Sequence, residues 1–195
     1  MSRNMYSELC EIIPNLLLGS VNEVDEMVRE GVDVLVPLAF MEGSVWDTGF
    51  RGEIIYCPVT DMGILPDDVL YLLVEMISRR LDHQKKVGIF CAGGHGRTGY
   101  IAACVLADRG VKDPIGFLRS NYSAKAVETQ KQAEAVFRFI RIEEETERLI
   151  REETGPGDWL GYSGVYWETK KRILKERFGI EWQSPADIYK GVIFD

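Results

Sequence analysis

The sequence has few of the residues from which metal sites and disulfide scaffolds are built. Its four cysteines, Cys10, Cys57, Cys91 and Cys104, are widely spaced and form no C-x-x-C pair, which argues against a disulfide framework and a zinc module. Only two histidines occur in 195 residues, so a mixed Cys and His metal site would be short of ligands. We therefore expect no metal and no cofactor.

Positive charge and long apolar runs are also scarce. The net charge of -8 and the pI near 5.0 argue against a nucleic acid or an anionic membrane as partner. The apolar run 32–40 is interrupted by Asp33 and Pro37 and is too short to span a bilayer, and the N-terminus lacks the apolar core of a signal peptide. We expect a cytoplasmic monomer with no nucleic-acid or membrane partner.

The order of the predicted elements indicates an α/β fold. A short strand and a turn are predicted at 12–20, and further strands at 32–38, 53–59 and 86–90. Helices are predicted at 21–30, after Pro66, and at 97–109, 114–119, 126–153 and 166–178. The inner face of the helix after Pro66 is predicted from its spacing to comprise Val69, Leu72, Leu73, Met76 and Ile77. The apolar run 86–90 is typical of a strand buried in the middle of a parallel sheet. We expect a central, mostly parallel sheet flanked by helices.

A Gly-Pro-Gly break at residues 155–157 divides the chain into a main domain, 1–154, and an extension, 155–195. The extension is helical in part and rich in aromatic residues: Trp159, Tyr162, Tyr166, Trp167, Trp182 and Tyr189. Packing against the core is the simpler interpretation of these residues. A surface that shapes substrate binding or holds a partner is the alternative.

The segment FCAGGHGRTGY, residues 90–100, fits two kinds of phosphate-binding loop. From Gly94 onward it is G-x-G-x-x-G, the dinucleotide fingerprint, which requires a second strand that ends in an acidic residue soon after the helix. The acidic candidates, Asp108 and Asp113, lie instead at the helix end and in the next turn, and the chain continues into further helices. The dinucleotide interpretation is therefore disfavoured.

The second interpretation starts at Cys91, and the sequence meets all of its requirements. A phosphate dianion requires converging backbone N–H groups, small residues and a helix N-terminus. Arg97 adds a planar fork for two phosphate oxygens, and the helix N-terminus favours the thiolate form of Cys91, which could attack phosphorus. The small residues of the loop are Ala92, Gly93, Gly94 and Gly96. A role for Cys91 as a small buried hydrophobe would leave the glycines and the arginine unexplained.

The segment CAGGHGRTG, residues 91–99, resembles the C-x5-R-[ST] signature of the protein tyrosine phosphatase superfamily, in its dual-specificity branch. Residues 13–20 and 126–132 are similar to further segments of the family, so the resemblance covers residues 8 to about 142. It implies a metal-independent phosphatase that acts on phosphotyrosine in proteins through a cysteinyl-phosphate intermediate. Phosphoserine and phosphothreonine are further candidate substrates.

The resemblance also implies individual roles. Cys91 would be the nucleophile, Arg97 the phosphate clamp, and Thr98 a hydrogen-bond donor to the cysteine sulfur. The general acid would be Asp61, on a loop after a strand; its rivals Asp67 and Asp68 belong to the first turn of a helix, where acidic residues act as caps.

Two positions leave alternatives open. Gln132 either positions the hydrolytic water or is a solvated helix glutamine. His95, inside the loop, either adds charge near the phosphate or points at solvent or substrate.

One position departs from the family pattern. Phe90 stands where the resemblance leads one to expect a histidine. The alternative function is therefore a catalytically weak, phosphate-binding pseudophosphatase module. The loop contains no lysine, which favours phosphorylated proteins over inositol phosphates as substrates.

Overall fold

A five-stranded sheet forms the centre of the fold. The structure, a computed structural model, describes residues 8–40, 49–157 and 161–188. The strands are β1 (Cys10–Ile13), β2 (Leu16–Ser20), β3 (Val34–Pro37), β4 (Glu53–Ile54) and β5 (Val87–Cys91). Their spatial order is β1-β2-β5-β3-β4, with β1 antiparallel to β2 and all other neighbours parallel. The prediction of a mostly parallel sheet is confirmed.

Helices cover both faces of this sheet. They are α1 (Val24–Arg29), α2 (Asp67–Asp82), α3 (Gly96–Asp108), α4 (Pro114–Asn121), α5 (Gln130–Thr154), α6 (Tyr162–Phe178) and α7 (Pro185–Ile188). Successive side chains of a strand point to opposite faces, and β5 follows this rule. Phe90 packs in a small cluster with α1, whereas Ile89 and Cys91 belong to the main core on the other face. Cys91 is thereby placed at the carboxyl end of a central strand, beside the start of α3.

The segment 12–20, predicted as a short strand and a turn, belongs to a hairpin of two strands. β1 and β2 are joined at Asn15, which has a φ of 68°, and β2 then pairs in parallel with β5. Asparagine tolerates this left-handed conformation better than other non-glycine residues. One strand and the turn are predicted from the sequence, but the second strand of the hairpin is not.

The helix predicted at 126–153 begins four residues later than expected, at Gln130. Val127 has a φ of 58°, which no helix allows, and Thr129 is the N-cap residue of a capping box with Gln132. The residues before Thr129 therefore form a turn outside the helix.

The buried face of α2 is rotated relative to the predicted one. Leu73 and Ile77 are buried as predicted, but Val69, Leu72 and Met76 are only partly buried. The buried residues of α2 are Leu70, Tyr71, Leu73, Val74, Ile77, Ser78 and Leu81. The reason is that α2 packs on helices as well as on the sheet: the Tyr71 ring lies 4.8 Å from the Phe139 ring of α5, and the Ser78 hydroxyl donates to Asp108 of α3.

The C-terminal extension begins where α5 ends at Thr154, followed by Gly155 with a φ of 72°. In α6, Lys170 is buried and its Nζ lies 2.9 Å from Glu143 of α5 and 5.3 Å from the ring centre of Trp182. Leu174 and Trp182 belong to the main core. Trp159 and Tyr189 lie outside the described residues, and the division of the chain at residue 154 stays a prediction.

Among the helices that the structure describes, none is long and apolar enough to cross a membrane.

Candidate active site

The loop between β5 and α3 wraps around the sulfur of Cys91. The backbone N–H of Gly94 donates to Cys91 Sγ at 3.3 Å, and Gly94 has a φ of 77°, a conformation that glycine adopts readily. The hydroxyl of Tyr122, at the end of α4, donates to the Gly94 carbonyl. The loop is thus held from outside while its amide contacts the sulfur.

Helix α3 starts immediately after this loop, at Gly96. The first N–H groups of a helix have no partner within the helix, and together they carry partial positive charge. His95, the residue before α3, provides no side-chain cap. The helix terminus therefore remains available to an anion bound in the loop.

Arg97 is nearly buried and is held by the chain segment that follows β4. One guanidinium nitrogen donates to the Val59 carbonyl at 3.2 Å, and the other lies 3.0 Å from Asp61 Oδ1. The side chain of Asp61 is 78% exposed, whereas that of Arg97 is 10% exposed. The structure therefore places the predicted phosphate clamp and the predicted general acid in contact.

A cavity of about 220 Å³ lies where these elements meet. Its lining residues are Asp61, Met62, Cys91, Ala92, Gly93, His95, Gly96, Arg97 and Glu128. Eight of the nine, all except Glu128, come from the loop at 91–97 or from the segment at 61–62. The cavity thus combines a thiol, a guanidinium and two carboxylates within reach of one small ligand.

The two rival aspartates lie elsewhere. Asp67 Oδ1 pairs with Arg138 at 2.5 Å, and Asp68 is exposed in the first turn of α2. Among the described residues that line the cavity, Asp61 is the one aspartate. The geometry favours Asp61 over both rivals as a group that could act on a ligand there.

Thr98 is fully buried, and its hydroxyl donates to the Gly19 carbonyl at 3.4 Å. This bond joins α3 to the end of β2. The bond from Thr98 to the cysteine sulfur stays a prediction.

His95 is nearly buried, and its Nδ1 lies 2.9 Å from the Ser123 hydroxyl. The interpretation in which His95 points at solvent is wrong, because the ring is held against Ser123 at the edge of the cavity.

Gln132 is buried, so its interpretation as a solvated helix residue is wrong. Its Oε1 accepts hydrogen bonds from the backbone N–H groups of Glu128 and Thr129, at 3.0 and 3.2 Å. Its Nε2 donates to the Gly63 carbonyl at 3.3 Å. Gln132 therefore connects α5 to the loop that carries Asp61.

Glu128 is the lining residue that the sequence analysis did not single out. It is exposed and precedes the N-cap Thr129, and a Cβ added to Gly96 would lie 2.9 Å from Glu128 Oε2. The carboxylate therefore lies directly against the first turn of α3, in space that a glycine leaves open. The capping box T-x-x-Q was the available signal, because it places the preceding residue outside the helix.

The other three cysteines do not line the cavity. Burial raises the pKa of the Cys10, Cys57 and Cys104 thiols above its ordinary value, which disfavours their thiolate forms. Within the described ranges, no three His, Cys, Asp or Glu residues form a group that could hold a metal ion.

The family of the chain follows from sequence comparison. A family model described as "Swiss Army Knife protein, DSP-PTPase phosphatase domain" matches residues 22–148, more than half of the chain. Two uncharacterized proteins of Methanocaldococcus jannaschii are each 36% identical over 88 and 87 residues, 45% of this chain in both cases. The matched segments span only 55% and 59% of those two proteins.

Solved structures agree in fold. Tk-PTP in its active form is 25% identical, with a TM-score of 0.60 over 72% of this chain and 99% of that one. Human DUSP28 is 14% identical, with a TM-score of 0.61 over 71% and 99%. PTPMT1 in complex with PI(5)P is 18% identical, with a TM-score of 0.59 over 72% and 98%. With the cavity at the carboxyl end of β5 and the match over residues 22–148, the chain belongs to the DSP-PTPase family of phosphatase domains.

Proposed function

We propose that this protein hydrolyses phosphotyrosine in protein substrates, with phosphoserine and phosphothreonine as further substrates, through a phosphate ester on Cys91. The observation that carries the proposal is the meeting of Cys91, Arg97 and Asp61 in one cavity, with the Gly94 amide on the sulfur. These groups supply a nucleophile, an anion clamp and an acid. No metal ion takes part in the proposed reaction.

In the first step, the substrate phosphate lies in the loop against the backbone amides, the start of α3 and the Arg97 guanidinium. The Cys91 thiolate attacks phosphorus, an S–P bond forms, and the P–O bond to the substrate breaks. Asp61 gives its proton to the departing oxygen, so that a neutral hydroxyl leaves. The fixed donors stabilise the charge that develops on the transferred phosphoryl group.

In the second step, water attacks phosphorus, the S–P bond breaks, and Cys91 departs as a thiolate that accepts the Gly94 N–H bond. The proton of the water passes to a carboxylate in the cavity. Gln132 is buried, its amide oxygen accepts two backbone hydrogen bonds, and its amide nitrogen donates to the Gly63 carbonyl. We therefore assign the activation of water to Glu128 together with the ionised Asp61.

The charge of the cavity supports a phosphoprotein over a phosphoinositide. PTPMT1 was solved with PI(5)P, which makes a phosphoinositide the competing substrate class for this fold. Here two carboxylates, Asp61 and Glu128, line the cavity beside a single arginine. They would repel further phosphates on an inositol ring. We propose that the protein acts in the cytoplasm as a monomer, with residues 1–154 as the catalytic unit.

The test is the hydrolysis of p-nitrophenyl phosphate in the presence of a chelator, followed by a panel of phosphopeptides. We expect turnover that vanadate inhibits and that Cys91→Ser abolishes. Binding of phosphopeptides without turnover would favour the alternative, a pseudophosphatase. Turnover that survives in Cys91→Ser would contradict both.

A further inference from the structure

A second cavity of about 570 Å³ lies along α5, next to the loop that carries Asp61. We call it the α5 groove; its lining residues are Ile64, Lys131, Glu134, Ala135, Phe137, Arg138 and Arg141. All except Ile64 come from α5, where positions 131, 134, 138 and 141 recur on one side of the helix. None of these residues lines the catalytic cavity.

The α5 groove adjoins the catalytic cavity. Gln132 donates to the Gly63 carbonyl at 3.3 Å, which joins the start of α5 to the Asp61 loop. Lys131 and Ile64, at the near end of the groove, are the sequence neighbours of these two residues. Met62, two residues before Ile64, lines the catalytic cavity and is 58% exposed. A chain that leaves the catalytic cavity over Met62 therefore reaches the groove.

The charge of the groove is positive, in contrast to the chain as a whole. Arg138 is neutralised by Asp67. Glu134 accepts a hydrogen bond from the neutral amide of Gln130 and keeps its negative charge. Lys131 and Arg141 are exposed, and neither has an ion pair or hydrogen bond within the described part of the chain. Lys131 and Arg141 outweigh the single carboxylate of Glu134, so the groove keeps a surplus of positive charge that attracts anionic groups, on a protein whose net charge is -8.

The groove also has an apolar centre. The ring of Phe137 is 59% exposed, and it projects from the helix between the two basic positions. Exposed aromatic rings with an arginine beside them are enriched at protein interfaces and scarce on the remaining surface. A polypeptide with an apolar side chain and acidic side chains would match both features.

We propose that the α5 groove binds an acidic segment of the phosphorylated polypeptide whose phosphoresidue occupies the catalytic cavity. This inference rests on the proposed function. Lys131 and Arg141 attract the acidic side chains, and Phe137 packs against an apolar side chain of the same segment. The groove thus selects among substrates by sequence, while the chemistry stays in the catalytic cavity.

The kinetic test compares two phosphotyrosine peptides that differ only in flanking residues, acidic in one and uncharged amides in the other. At low ionic strength the wild type should prefer the acidic peptide, and Lys131→Glu/Arg141→Glu should lower kcat/KM for that peptide about five- to tenfold. Hydrolysis of p-nitrophenyl phosphate, which does not reach the groove, should change by less than about twofold. Salt should weaken the preference, because exposed charges are screened.

Lys112→Glu/Arg51→Glu is the matched control. Both residues are exposed and the charge change is the same, but neither lines either cavity. The control should keep the preference for the acidic peptide. An equal loss in the control and in the groove variant would overturn the proposal, since it would show an effect of net charge alone.

A binding measurement separates this inference from the proposed function. In the Cys91→Ser background, fluorescence anisotropy reports the affinity for both peptides whether or not the wild type turns over. If the wild type hydrolyses p-nitrophenyl phosphate but shows no preference between the peptides, the proposal that the groove binds an acidic segment is overturned and the proposed function is left intact. If the protein binds the acidic peptide more tightly but turns over neither peptide, the role of the groove in binding is supported and the proposed function is contradicted. Loss of binding to phosphatidylserine vesicles in the groove variant, with the peptide preference unchanged, would assign the groove to a membrane surface and overturn the proposal.

Discussion

The guanidinium of Arg97 lies 3.0 Å from the carboxylate of Asp61, although the first is nearly buried at the start of α3 and the second is exposed on a loop. A hydrogen bond from Arg97 to the Val59 carbonyl holds the arginine from the same segment. On the proposed mechanism, a phosphate dianion competes with Asp61 for the guanidinium. Binding of substrate would therefore free the acid from the arginine at the moment when it is needed.

The first prediction concerns Asp61→Asn. We expect kcat to fall by about 10²- to 10⁴-fold and the alkaline limb of the pH-rate profile to disappear, because the acid that protonates the leaving group is lost. We also expect tighter binding of vanadate, because the competing carboxylate on Arg97 is removed. Steady-state kinetics across pH, with vanadate inhibition constants, measure both effects.

Asp68→Asn is the control for this variant, since Asp68 is exposed in the first turn of α2 and does not line the cavity. Asp68→Asn should leave the pH-rate profile and the vanadate inhibition constant unchanged. An alkaline limb that persists in Asp61→Asn and is lost in Asp68→Asn would move the acid to α2.

The second prediction separates Glu128 from Gln132. In Glu128→Gln we expect a burst of p-nitrophenol followed by slow turnover, because attack of water on the cysteinyl phosphate becomes rate-limiting. Gln132→Ala should instead lower the free energy of unfolding by about 1–3 kcal/mol, because the partly buried backbone groups at 63, 128 and 129 lose their hydrogen-bond partner. Stopped-flow kinetics and urea titrations distinguish the two. A burst in Gln132→Ala at unchanged stability, and none in Glu128→Gln, would reverse the assignment.

The third prediction concerns the anchoring of α6. Burial opposes the charge of Lys170, but the adjacent Glu143 carboxylate, together with Tyr166 and Asp108, keeps the pKa of the ammonium above its ordinary value. Lys170→Ala should lower the free energy of unfolding by about 3–5 kcal/mol, because Glu143 is left buried without a counter-charge. Lys171→Ala, which breaks an exposed pair with Asp187, should cost less than about 1 kcal/mol. If both variants lowered the free energy of unfolding equally in urea titrations, Lys170 would not be a buried anchor of α6.

The fourth prediction is a pH dependence of stability that arises at Glu75. Burial raises the pKa of this carboxyl group to about 7, so the folded protein holds the proton more tightly than the unfolded chain does. The stability contributed by the protonated form is complete at low pH and is lost as the pH rises toward 7. The free energy of unfolding of Glu75→Gln should therefore rise by about 1–3 kcal/mol relative to that of the wild type as the pH goes from 5 to 8.

Thermal or urea unfolding at the two pH values measures this difference. Glu26→Gln, at an exposed position of α1, is the control and should show no such change. A difference between Glu75→Gln and the wild type that does not vary with pH would contradict the assignment to Glu75.

The sheet and the glycine-rich loop after β5 could be predicted because their signals are local. The apolar strand that ends at Cys91, the glycines and Arg97 follow one another in the chain, and the structure brings them together as predicted. Glu128 could not be predicted in the same way, since its position depends on where α5 begins and on how that turn packs against Gly96. The rotated face of α2 was missed for the same reason, because it depends on contacts with α3 and α5.

The role of Phe90, the residue before Cys91, also depends on contacts between elements that are distant in the sequence. The family resemblance leads one to expect a histidine at this position. In the structure, the Phe90 ring is buried against α1, on the face of the sheet opposite to Cys91. Its neighbours are the apolar side chains of Leu17, Met27 and Leu35. A histidine at this position would have to be accommodated in an apolar cluster, so Phe90 is matched to its surroundings by packing.

The proposal that Cys91 is the nucleophile is tested most directly by trapping its phosphate ester. The enzyme is mixed with p-nitrophenyl phosphate, quenched in acid within the first turnover, digested, and analysed by mass spectrometry. We predict a phosphoryl group on the peptide that contains Cys91 in the wild type, more of it in Glu128→Gln, and none in Cys91→Ser. Phosphate release by the wild type with no phosphoryl group on Cys91 in either active form, or with the group on another residue, would contradict the account.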